Sequence, residues 1–131
     1  MMTKEEKQIL FKDLLPRQLY GVKAHYQYYD FVGGSERLIK EGDGVIESID
    51  ISLGNPVYID GHHVELENIK PYLRPMSSMT SNEKAWYDRL RGSTIACAAL
   101  VDWLNANHFD YRGLIEKELA LEAPEGMYEI G

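Results

Sequence analysis

Hydrophobic and polar residues change their period twice along this chain. Over residues 4–14, Ile9, Leu10 and Leu14, joined by Phe11, fall on one helical stripe. Thr3 and Glu6 stand three apart in front of it, the spacing of a capping box. Pro16 ends this predicted helix near Leu14 or Leu15, because a proline drives the residue before it out of helical geometry. Past Tyr20 the period drops to two. Val22, Ala24, Tyr26 and Tyr28 alternate with Lys23, His25, Gln27 and Tyr29, which predicts a strand with the first set inward and His25, Tyr29 and Phe31 outward.

The stretch "VGGSER" reads as a loop, and "GDGVIESIDI" as a second strand carrying Val45, Ile49 and Ile51 on one face. Glu47 breaks that alternation and predicts a bulge or a sheet edge. "SLGNP" is a turn. Asp60-Gly61, between "VYI" and "HHVELE", suits a two-residue hairpin turn with positive φ. "NIKPYLRP" is expected to leave the sheet, because Pro71 and Pro75 cannot donate to a ladder, and a single 3₁₀ turn fits there.

From Thr80 the period becomes helical. Thr80 and Glu83 form a second capping box ahead of a helix over about 81–91, which Gly92 ends. Ser93 is placed to cap a helix over 94–106 with Ala96, Leu100, Trp103 and Leu104 on its stripe. Asp110 is placed to cap a short last helix over 111–119, with Leu114, Ile115 and Leu119 inward.

One helix, four or five short strands and then three helices predict an α+β fold. The expected form is a small antiparallel SH3-like β-barrel or curled sheet, flanked by an N-terminal helix and C-terminal helices. Residues 1–131 are expected to make one domain. Its parts would be an N-terminal helix (1–19), a barrel-like part (20–75) and a helical part packed on it (80–131).

Composition adds compartment and excludes some partners. At 131 residues, 44% apolar and 27% charged, the chain can bury a core without a disulfide. Its one cysteine, Cys97, sits in "TIACAALV" and is expected to be a buried, inert small hydrophobe. "MMTKEEKQ" has no apolar signal region, and no apolar run approaches the ~20 residues of a membrane span, so a cytoplasmic protein with no membrane association is expected. The net charge of −7 argues against a nucleic-acid backbone as partner. That charge is uneven: residues 1–40 hold seven basic and five acidic groups, and residues 108–131 hold two basic and six acidic. A weak nucleic-acid binder acting through the basic first forty residues is one alternative, and the acidic end reads as a solvated face.

Three groups of residues bear on chemistry. His62-His63-x-Glu65 contains metal-ligand types, but neighbours on a strand point to opposite faces. His63 and Glu65 would share the watery side and need a distant third ligand, such as His25 or His108. A metal-assisted enzyme on that set is the alternative to a binding function, and no metal or other cofactor is expected. His108-x-Asp110-x-Arg112 has the parts of an acid–base site, yet each has a structural task at a helix boundary. No phosphate loop, nucleophile elbow or Cys–His signature is present. Nine tyrosines is high, and aromatics left outward on a small sheet can dock peptides or stack bases. His25, Tyr29 and Phe31 are therefore the candidate partner-binding residues. The remaining polar side chains of residues 20–70 are expected to scatter over two surfaces rather than converge.

Two stretches, "ENIKPYLRPMSSMT" (Glu67–Thr80) and "DWLNANHFDYRGLIEKELALEAPEGMY" (Asp102–Tyr128), resemble a group of uncharacterised small proteins of Bacteroides-type gut bacteria and their phages or prophages. The group often has glycine where Glu118 stands. The resemblance implies a mobile-element origin. It supplies no activity, cofactor or site residue, and an interaction module with a protein partner is the function expected.

Overall fold

Thr3 caps the first helix, α1 (Lys4–Arg17), with both bonds of the capping box in place. In this computed structural model residues 2–50, 56–93 and 95–129 are described. Helix α1 runs past the expected stop, with Pro16 inside its last turn. The proline forgoes its own N–H bond, and the ladder closes beyond it through Gln18 N–H to the Leu14 carbonyl. Leu10 and Leu14 are fully buried, together with Asp13 and Arg17.

Contacts divide the chain into a unit reaching to Tyr72 and a unit starting at Leu73. The first holds α1 and the strands β1 (Lys23–Val32), β2 (Ser35–Ile49), β3 (Val57–Ile59) and β4 (His62–Val64), plus the start of β5 (Ile69–Pro75). The hydrogen-bonded order is β4-β3-β2-β1-β5, and every neighbour is antiparallel. Tyr26, Ile46, Val57, Ile59, Val64 and Ile69 make its core with the leucines of α1. The sheet curls until Tyr28 of β1 stacks on His62 of β4, with ring centroids 4.3 Å apart.

Several expectations change here. The "VGGSER" loop shrinks to Gly33-Gly34, which join β1 and β2 at φ 63° and 85°. β2 is consequently 15 residues long. The irregularity expected at Glu47 is present, between Ile46 and Ser48. It also overturns the face assigned to β2: an extra residue puts Val45 and Ile49 on different sides, so Ile46 is buried and Val45 is exposed. The Asp60-Gly61 turn forms as predicted, at φ 52° and 82°. Ile51 and nearly all of "SLGNP" lie outside the described residues. The proline-containing "IKPYLRP" is a strand after all, β5, with a 3₁₀ turn before it (Leu66–Asn68) and another after it (Met76–Ser78). Its first residues pair β1, and its last two pair a new strand in parallel.

That strand is β6 (Phe109–Asp110), in the second unit, where β7 (Leu121–Glu122) also pairs β5. Among the described residues seven strands form a mostly antiparallel open sheet, so the fold is α+β with a curled sheet. Helix α2 (Ser81–Arg91) has the predicted limits and capping box. Helix α3 (Cys97–Ala106) starts later than predicted. Ala96 takes the cap position with no side-chain bond, and Ser93 supplies only its carbonyl. Cys97 is exposed in α3's first turn, not buried. The predicted helix over 111–119 is a run of turns instead. Gly113 at φ 73° and Glu118 at φ 61° are left-handed and interrupt helical progression at both ends. No helix among the described residues is long and apolar enough to cross a membrane.

Candidate interaction face on the β1–β2 ribbon

Side chains two apart on a strand share a face, so Lys23, His25, Gln27, Tyr29 and Phe31 all lie on the outer side of β1. Register decides what stands beside them: Asp43 opposite His25, Glu41 opposite Gln27, Leu38 opposite Tyr29 and Glu36 opposite Phe31. A bulge on β2 between the partners of Tyr28 and Tyr29 leaves Ile39 unpaired. On the other side of β1, Lys70 of β5 stands across from His25.

The distal half of this ribbon is open and carries apolar side chains among charged ones. Residues 30–41 are all exposed. Phe31 is 73% exposed, and Val32, Leu38 and Ile39 are exposed beside it, with Tyr29 half-buried. The three residues singled out from the sequence, His25, Tyr29 and Phe31, thus share one surface and differ in setting.

His25 belongs to a polar network at the ribbon's root. Its Nε2 lies 2.8 Å from Glu41 Oε2 and its Nδ1 lies 2.9 Å from Asp43 Oδ1. Tyr72 donates its hydroxyl to Asp43 at 2.7 Å, and Gln27 donates to Glu41 at 3.1 Å. The bond with Glu41, reinforced by Asp43, raises the imidazole's pKa above its usual value against the opposing effect of burial. The same contacts hold Glu41 below the carboxylate range, chiefly through His25 and then Gln27. Asp43 is lowered first by Tyr72 and then by His25. Burial, with the bond to Asp43, pushes the Tyr72 phenol up to about 12. The expectation that polar groups scatter across the sheet fails here. Sequence reading missed Glu41, Asp43 and Tyr72 because cross-strand register, which brings them to His25, has no local signal. The one available hint was that Glu41 and Asp43 stand two apart.

The other candidate groups are placed apart. His63 lies against the Tyr58 ring, with centroids 4.8 Å apart, and Glu65 is half-buried with its pKa raised by burial and by neighbouring Glu67. His25 is engaged with its own carboxylates. Among the described residues no group of three or more His, Cys, Asp or Glu side chains is arranged to hold a metal ion. In the second unit, His108 is buried and stacks on Tyr128 at 3.7 Å. Asp110 accepts from Leu114 and Ile115 N–H at 2.8 and 3.0 Å, the capping role predicted for it, although a turn and not a helix follows. Arg112 lies over the Tyr111 ring. A cleft of about 360 Å³ in that unit is bordered by Arg74, Ser78, Glu122, Glu125 and Tyr128, residues drawn from both stretches that carry the resemblance. Its one guanidinium is committed, since Arg74 binds both oxygens of Glu83 at 2.8 and 2.6 Å.

The chain matches no protein-family model, no curated protein and no solved structure.

Proposed function

We propose that this chain is a non-enzymatic interaction module that meets a protein partner through the outer face of the β1–β2 ribbon, with Phe31 as the anchor and Tyr29 and Leu38 beside it. The observation that carries the reading is Phe31, 73% exposed near the end of a ribbon whose core packing does not need it. A large aromatic offered to water on a stiff, paired strand loses little conformational entropy on docking, which is what makes such residues binding anchors. Glu36, Glu41 and Asp43 share the face, so the partner surface that fits is an apolar socket rimmed by basic side chains.

The catalytic candidates support this reading by having structural partners: His25 with two carboxylates, His108 with Tyr128, and Asp110 with two backbone N–H groups. A net charge of −7 favours protein over nucleic acid as the partner. The reading sets this work in the cytoplasm, with a phage or other mobile element as the source, as the resemblance implies.

The test is site-specific crosslinking. A photoreactive phenylalanine analogue replaces Phe31 in one sample and the exposed Lys4 of α1 in another, in the cells that make the chain. A discrete adduct from position 31, absent from position 4 and lost on adding Leu38→Asp, is expected. No adduct, or the same adduct from both positions, overturns the reading.

A further inference from the structure

The two bonds of His25 specify its protonation. Each ring nitrogen lies within 2.9 Å of a carboxylate oxygen, and a carboxylate only accepts. A neutral imidazole has one N–H. Its other nitrogen would set a lone pair against a carboxylate lone pair. The observed arrangement therefore needs imidazolium, donating from both nitrogens to ionised Glu41 and Asp43.

The surrounding groups decide how this balance falls. On β1, Lys23 and Gln27 flank His25, and Gln27 adds a bond to Glu41. On β2 the neighbours are Glu41 and Asp43. On β5, Lys70 stands opposite and Tyr72 bonds Asp43. Beyond Gln27, His63 and Glu65 border a small cavity of about 20 Å³ with Tyr29, and Glu67 follows on the next turn. Lys23 and Lys70 oppose a further positive charge. Lys70 is exposed and screened by water, whereas both carboxylates touch the ring, so contact prevails.

We propose that His25 is a proton-operated clamp: charged, it ties β1 to two carboxylates of β2, and neutral, it drops one tie and loosens the distal ribbon. The bulge at Ile39 and, among the described residues, the lack of any strand other than β1 laddered to residues 35–45 leave this part of β2 with one backbone partner; its side-chain ties beyond β1 are Lys40 to Asp60 at 2.6 Å and Asp43 to Tyr72 at 2.7 Å. Loss of the proton also leaves the face beside Phe31 more negative, which would weaken its hold on an acidic surface and strengthen it on a basic one. The clamp acts whatever docks at the tip.

The sign follows from linkage. A histidine raised in the folded state stabilises fully below its unfolded value, about 6.5, and that contribution is lost as pH rises through the raised value. The carboxylates, being lowered, impose the opposite limit in acid.

The experiment is an NMR titration of the His25 ring in the intact chain. It is combined with amide hydrogen exchange on both sides of the transition, corrected for intrinsic rates. His25 is expected to titrate above the ordinary imidazole value, and Glu41→Gln and Asp43→Asn each to bring it down. Protection of amides 36–45 falls as the proton leaves, by up to about tenfold per pH unit of displacement, while β3 and β4 are unchanged. A His25 titrating at or below the ordinary value, or ribbon protection constant across the titration, overturns the clamp. Should either variant fail to fold, the wild-type titration and exchange decide alone.

Discussion

Arg17 lies one helical turn after Asp13 on α1, and both side chains are wholly buried, with Nε 2.9 Å from Oδ2 and Nη2 3.2 Å from Oδ1. The two-pronged pair joins two of the guanidinium's N–H donors to both carboxylate oxygens. Burying two ions costs more than their attraction returns unless the geometry is good, and removing one partner strands the other.

Arg17→Met is therefore expected to destabilise the protein by about 3–5 kcal/mol in chemical denaturation. Asp13→Leu combined with Arg17→Met should recover most of that loss, because no ion is then left buried. Equal losses in the single and double variants would show that shape, not charge, holds this site.

Glu83 makes a prediction about acid. Arg74 holds the Glu83 carboxyl below its usual range, with the Thr80 backbone helping against burial. A lowered carboxyl contributes stability above its unfolded pKa and loses it as pH falls through the folded one. Both tryptophans lie in this unit, and Trp103 sits 5.5 Å from Phe109, over which Arg74 stacks. Tryptophan fluorescence in urea should show stability falling in the native chain as pH drops through the acid range below the ordinary glutamate value, about 4.3. Glu83→Gln should be weaker at neutral pH and flatter across that interval.

The Gly33-Gly34 turn predicts a difference between substitutions. Nothing stands within 4 Å of where a Cβ would be at either glycine, so any penalty comes from positive φ alone. Gly34→Asn should be nearly neutral, and Gly34→Val should cost about 1–2 kcal/mol. Comparable thermal midpoints for the two variants would contradict a left-handed turn at this position.

Local signals were legible and long-range ones were not. The capping boxes at Thr3 and Thr80, the limits of α2, the Asp60-Gly61 turn and the inward set of β1 all depend on neighbours within four residues. The failures share a different cause. Pro71 forbids a donor, but an antiparallel strand needs donors only at alternate positions, so β5 forms through it. Leu114, Ile115 and Leu119 have helical spacing, yet Leu114 and Leu119 are buried by a chain of turns pivoting on Gly113. Cys97 lies within an apolar run but is exposed, since a run cannot say which side of α3 is covered. In the candidate face, His25, Tyr29 and Phe31 were readable from alternation. Glu41, Asp43 and Tyr72 came from register, which depends on turns and bulges elsewhere.

The account depends most on the ribbon tip as a docking surface. The decisive measurement is the affinity of the crosslinked partner for the native chain and for Phe31→Ser with Leu38→Ser, alongside their thermal midpoints. Both side chains are exposed, so stability should hold while affinity falls about 30-fold or more, the loss of an anchor worth about 2 kcal/mol. An affinity within about twofold of native, at equal stability, would contradict the account.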